Sequence, residues 1–215
     1  MFRPRQREAA EVATADAGAP REAMISLVQE ILDNFVGRGI RGVALCGVAQ
    51  GDGVSFIAAN LATALGRAGV STLLVDANLR SPRQQDLFEM RASNAPGLAD
   101  LLLQPSLDAD AVIHADLAPG LSVLFAGEPS ARAADMLSET VFADRVDGWL
   151  RTFEFTIIDT PPANLTPDAL RIARLAGHAL LVVRDGETFV ADLNLFVDEL
   201  RDQGVTVLGA VLNEG

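Results

Sequence analysis

The sequence predicts an α/β fold, three layers (α/β/α) around a mostly parallel sheet. Short, nearly continuous apolar runs recur at residues 42–48, 70–77, 121–126, 155–159, 178–184 and 205–213. Strands buried on both faces read this way, because each side of a parallel sheet is covered by helices. Segments with apolar residues at helical spacing separate most of these runs, which is the rhythm of repeated strand and helix units. Two of the runs end in an acid, Asp76 and Asp159, and the first feeds a glycine-containing loop. Groups at the carboxyl ends of such strands lie on the side where open α/β sheets take ligands.

Taken in order, residues 1–20 mix Arg3, Arg5 and Arg7 with Ala, Glu and Asp, and lack apolar periodicity. They read as a flexible tail before a folded unit at 21–215. Met24, Leu27, Val28, Ile31, Leu32 and Phe35 make residues 21–35 an amphipathic helix leading to the first strand. After the loop, Ile57, Leu61 and Leu65 mark the next helix. A weaker helical signal covers 97–103, and residues 131–153, which carry Trp149, read as helical with a break near Ser138. Residues 166–176 form a helix with Asp168 in its first turn, where a negative charge suits the dipole. The stripe Leu193, Phe196, Val197 and Leu200 predicts a helix over 189–203, with Gly204 as its stop.

Composition bounds the function. A chain of 215 residues is long enough to bury a full core as one domain. Its 17 basic and 29 acidic side chains leave a formal charge of −12, which repels nucleic acid and anionic lipid. The single cysteine, Cys46, excludes an internal disulfide, fits a reducing compartment and reads as a small buried hydrophobe. His114 and His178 are isolated, with no partners at metal-ligand spacing. No apolar run is long enough to span a membrane and no signal-like segment opens the chain, so a cytoplasmic protein is expected.

The organising stretch is residues 44–60, an apolar run entering Gly51-Asp52-Gly53 and leaving into a helix. Backbone N–H groups of such a loop and of the helix start converge on an anion. A phosphate-binding loop ends Gly-Lys-Ser/Thr, with the lysine on the β/γ-phosphates and the hydroxyl on Mg²⁺. Here Gly53-Val54-Ser55 keeps the hydroxyl without the lysine, and Phe56 follows. All 17 basic residues are arginine, so no lysine elsewhere in the chain substitutes.

The loop, the run at 73–82 (LLVDANLRSP), IIDTPPA at 157–163, LLVVRDGET and VLGAVLN together resemble the bacterial tyrosine kinases of capsule and exopolysaccharide synthesis. These are deviant P-loop proteins related to the partition ATPases, and the similarity runs from Glu22 to Asn213. The resemblance implies a P-loop NTPase architecture of the partition-ATPase type. It also implies Mg-ATP or Mg-ADP at Gly51, Asp52, Gly53, Val54, Ser55 and Phe56, with Arg80 in the second acidic motif and Asn213 by the adenine. Ser55, Asp76 and Asp159 would hold Mg²⁺, and the two acids are the implied catalytic residues, vestigial in an inactive chain. Arg80 has two readings, a phosphate contact or a salt bridge with an acid.

Several residues depart from the pattern. The family loop ends Gly-Glu-Gly-Lys-Ser-Thr, and losing that buried lysine costs about 3–5 kcal/mol of phosphate binding. At about 1.4 kcal/mol per tenfold, affinity drops by about two to four decades. Phe56 replaces a hydroxyl expected near the α-phosphate, and Asn78 replaces a second acid. The ring-forming Glu-x-x-Arg-x-x-Arg reads Glu22-x-x-Ile25-x-x-Val28, and the chain has no tyrosine. The first expectation is a non-catalytic relative that binds Mg-nucleotide weakly or not at all. Its implied partner is the cytoplasmic part of a membrane polysaccharide co-polymerase that recruits it to the membrane, with homo-oligomers possible and neither nucleic acid nor membrane insertion involved. Two alternatives stay open: an active Mg-ATP-dependent ATPase or tyrosine kinase with a lysine-free loop, and a partition or positioning ATPase.

Overall fold

The computed structural model describes residues 18–90, 95–104, 106–138 and 140–214, with side chains from residue 22 onward. The expected flexible tail therefore falls outside the described residues up to position 17, and its last three positions already belong to a helix. The elements in order are α1 (Gly18–Asn34), β1 (Gly42–Gly47), α2 (Val54–Arg67), β2 (Thr72–Asp76), α3 (Gln84–Leu87), α4 (Leu98–Leu103), β3 (His114–Ala118) and β4 (Leu121–Leu124). They continue with α5 (Ala133–Ser138), α6 (Thr140–Thr152), β5 (Phe155–Asp159), α7 (Asp168–Ala176), β6 (His178–Arg184), α8 (Val190–Asp202) and β7 (Thr206–Asn213).

The seven strands form one sheet in the order β3-β4-β2-β5-β1-β6-β7. Every pairing is parallel except β3 with β4. Alternation along each central strand builds the layers. Ala44, Cys46, Leu73, Val75 and Ile158 join a core with α4 to α8 on one face. Val43, Leu45, Leu74 and Ile157 join a second core with α1 and α2 on the other. Both faces of the central strands are dry, which accounts for their continuous apolar runs.

The expected break near Ser138 falls at residue 139, which lies outside the described residues; helix is described on both sides of it. The helix expected over 166–176 starts at Asp168, with Pro167 at the N-cap, because the proline ring disfavours the helical conformation at Thr166. Gly204 has φ +76 and its N–H closes on the Arg201 carbonyl, as a helix stop should. Two elements had no sequence signal. β3, a short edge strand with an exposed centre, folds back onto β4 through Pro119-Gly120 and so lacks the apolar run of its neighbours. α3 is a single turn. On β7 the register slips by one residue, with Ala179 facing Val207 and Leu180 facing Gly209, so Leu208 is the extra residue of a bulge.

Candidate functional site

The carboxyl ends of β1, β5 and β2, adjacent in the sheet, bring the phosphate-type loop, Asp159 and Asp76 together. Asp76 and Asp159 are register partners on neighbouring parallel strands, and both are fully buried. After β5 the chain is tied to the first loop: Ala163 N–H donates to the Gly47 carbonyl at 3.0 Å and Asn164 N–H to the Val48 carbonyl at 2.9 Å. The Thr160 hydroxyl donates to the Leu45 carbonyl at 2.9 Å.

The loop is held in shape by its own acid. Asp52 Oδ2 accepts from Ala49 N–H at 2.8 Å, and Oδ1 accepts from the Thr188 hydroxyl at 2.9 Å. The Asn213 amide donates to the Asp52 carbonyl at 3.0 Å, and Arg184 Nη1 to the Gly51 carbonyl at 3.1 Å. Gly51 and Gly53 take φ of +98 and +90, a region that favours glycine, and a Cβ on Gly53 would collide with the Asn213 amide. The loop opens into α2, whose first N–H groups have no i−4 partner within the helix. The expected glycine-containing loop and the helix start after it are present, with the free N–H groups of that first turn.

The side chains follow the loop less closely. Val54 turns into the core of β1, α2 and β6, against Gly47, where an added Cβ would sit 2.6 Å from Val54 Cγ2. Phe56 packs half-buried against the same core. Ser55 lies beside Asp159, close enough for its hydroxyl to favour the ionised carboxylate and so lower its pKa. Arg80 takes the second of its two readings: its Nε bonds Asp168 Oδ2 at 3.1 Å, and Arg171 pairs with the other oxygen at 3.3 Å. Asp168, fully buried, thus anchors the loop after β2 to α7. Asn78 continues that loop, its side chain accepting from Ser81 N–H at 3.2 Å.

Gln84, at the start of α3, joins the site without any sequence pattern pointing to it. Its N–H and that of Arg83 donate to Asp76 Oδ2 at 3.1 and 3.2 Å, while Asn78 N–H donates to Oδ1 at 3.2 Å. Asp76 is thereby the organiser of its own loop. The Gln84 side chain, fully buried, donates from Nε2 to Asp159 Oδ2 at 2.7 Å and to the Ser55 carbonyl at 3.0 Å. Gln84 Oε1 and Asp159 Oδ1 are buried with no hydrogen-bond partner.

Burial dominates the electrostatics. Desolvation, with the Asp76 charge alongside, pushes Asp159 up to about 8 against the opposing hydrogen bonds of Gln84 and Ser55. Desolvation raises Asp76 to about 6, restrained by its three backbone N–H donors. Cys46, buried in β1, is pushed up to about 12 by burial and is an inert thiol. No group of three His, Cys, Asp or Glu able to hold a metal occurs among the described residues. Ser55, Asp159 and Asp76 nevertheless make an all-oxygen set suited to a hard cation, and the partnerless Asp159 Oδ1 fits such a group. Mg²⁺ at this place would rely on Ser55, Asp159 and the phosphates it accompanies. A hollow of about 440 Å³ lined by Ile113, Ser122, Arg145 and Trp149 contains none of these residues.

No protein-family model matches the chain. The tyrosine-protein kinase ptk of Acinetobacter johnsonii is 34% identical over 173 residues, 80% of this chain and 23% of that protein. The tyrosine-protein kinase CpsD of Streptococcus pneumoniae serotype 4 is 27% identical over 178 residues, covering 83% of this chain and 78% of that one. Its homologues are bacterial tyrosine kinases. The crystal structure of the chimerical protein CapA2B2 superposes with a TM-score of 0.80 at 28% identity, over 94% of this chain and 88% of the other. Other solved structures, cell-division ATPases among them, share the fold, which is the three-layer P-loop NTPase architecture. The chain spans less than a quarter of the Acinetobacter kinase. Among the described residues no helix is long and apolar enough to cross a membrane.

Proposed function

We propose that this chain is a non-catalytic relative of the bacterial tyrosine kinases that acts as a regulator or scaffold beside a membrane polysaccharide co-polymerase, recruited by it to the inner face of the membrane. The observation that carries the reading is Val54: where the tyrosine-kinase loop has a lysine, this side chain is packed into the core beside Gly47. The loop offers backbone donors to a phosphate and no cationic side chain from that position. Two further features support it. The Gln84 amide is spent on Asp159, and Arg80 is spent on Asp168. In the helix that carries the assembly motif of the kinases, Ile25 stands exposed and Val28 is buried, so neither position offers the arginine of that motif.

The residues fit a weakly bound Mg-nucleotide: loop N–H groups on phosphate, Ser55 and Asp159 toward the metal. Bound there, Mg²⁺ would neutralise phosphate charge. A catalytic reading is favoured by one observation, the convergence of Ser55, Asp76 and Asp159 at adjacent strand ends. The two readings part in one experiment: calorimetric titration with ATP and ADP, with and without Mg²⁺, of the native chain and Val54→Lys, together with ATP turnover. The scaffold reading expects no binding to the native chain at millimolar nucleotide, binding restored by Val54→Lys, and turnover equal to that of the Asp76→Asn/Asp159→Asn protein. Mg²⁺-dependent turnover clearly above that control sinks it.

A further inference from the structure

We infer that the Gln84 amide is a built-in occupant of the cation position beside Asp159, so that Gln84 and a divalent cation compete for the same carboxylate. The inference rests on the reading of this site as one that takes Mg-nucleotide weakly, and it supplies a second cause of that weakness besides Val54.

The argument starts from the acceptors. Asp159 Oδ2 and the Ser55 carbonyl both face Gln84 Nε2, at 2.7 and 3.0 Å. Two acceptors on one side of an amide fix its orientation: the nitrogen must point at them, and the oxygen must point away. That orientation leaves Oε1 buried with no partner, an arrangement a buried amide adopts only where its nitrogen is strongly held. The hold comes from two oxygens in a dry place, where the low dielectric strengthens each hydrogen bond and ionisation of Asp159 strengthens its own further. A divalent cation would be drawn to Asp159 by the same negative oxygens.

Gln84 is delivered there by the backbone. Its N–H is bound to Asp76 Oδ2, so the acid on β2 positions the residue that covers the acid on β5. The two carboxyls thus act in sequence along the rim, one fixing α3 and the other being capped by its first side chain. Loading a cation requires the amide to leave Asp159, and that loss is subtracted from the cation's affinity.

The test uses the whole chain and Mn²⁺ alone, with free metal read by electron paramagnetic resonance. Since the chain carries a formal charge of −12, surface sites bind Mn²⁺ as well, and the site-specific part is defined as what Asp159→Asn removes. Gln84→Ala keeps the backbone anchor and removes the cap. Site-specific Mn²⁺ affinity is expected to rise about tenfold, and Mn²⁺ is expected to raise the melting temperature of this variant more than that of the native chain. Gln84→Met, which keeps the length of the side chain without a donor, carries the same expectation if the alanine variant folds poorly. Unchanged or weaker Mn²⁺ binding in both variants overturns the inference, as does a gain that survives Asp159→Asn. The readout contains no nucleotide and no turnover, so it fails or holds independently of whether the native chain proves to be an active ATPase.

Discussion

Two buried carboxyls meet at the rim of the sheet, and their protonation sets a pH dependence. In the folded state Asp159 sits at about 8 and Asp76 at about 6, above the value of about 3.9 for an aspartate in an unfolded chain. The folded state therefore binds more protons than the unfolded one between pH of about 4 and 8, and stability falls as pH rises through that window. Urea unfolding should give a lower midpoint at pH 8 than at pH 5, and Asp159→Asn should flatten the profile and be most favourable at the alkaline end. A midpoint that climbs from pH 5 to 8 would contradict the assignment. At this scale the sequence was informative where a residue ended a strand or opened the helix after one: Asp76 and Asp159 end β2 and β5, Ser55 opens α2, and parallel strands deliver all three to one rim. It was silent on Gln84, which opens the single-turn α3 and reaches Asp159 across 75 positions, and on which way Val54 turns. Arg80 carried both of its readings until its partner, 88 positions away, was placed.

Among the elements, the loop between β1 and α2 is braced from β6, the strand beside β1, and from β7. The Thr188 hydroxyl accepts from Arg184 N–H at 2.9 Å and passes its own hydrogen to Asp52, so the segment after β6 shapes a loop after β1. Thr188→Val keeps the shape of the side chain and leaves a buried carboxylate oxygen of Asp52 without its donor, at a cost of about 1–3 kcal/mol. Chemical denaturation should show that loss, and hydrogen exchange should quicken around the loop while the β2–β5 ladder keeps its protection. The strands of the buried half of the sheet could be read from composition because both of their faces are dry. β3 could not, since an edge strand with exposed residues at its centre has no apolar run to announce it. The brace itself was hidden, because Asp52 and Asn213 read as nucleotide-site residues and Thr188 as an ordinary loop residue, and only the fold sets the three side by side.

For the molecule as a whole, two cores flank one sheet and a surface of excess acid surrounds them. Net charge of −12 repels itself in the compact state, and counter-ions relieve it over about 8 Å at physiological ionic strength. The melting temperature is expected to rise between 20 and 300 mM NaCl, by about a few degrees; a fall would mean that surface ion pairs outweigh the repulsion. The reading of three layers and a parallel sheet from sequence succeeded because burial on both faces writes a long-range fact into local composition, whereas pairing and charge balance across the surface leave no local trace. The sheet ends on β7, eight residues long, with Leu212 exposed on it. An edge of that length is a ready template onto which an identical strand could add, the first step toward fibres. The extra residue at Leu208 spoils the even spacing such a strand would need, so the bulge serves as this acidic domain's guard against polymerising through its own edge.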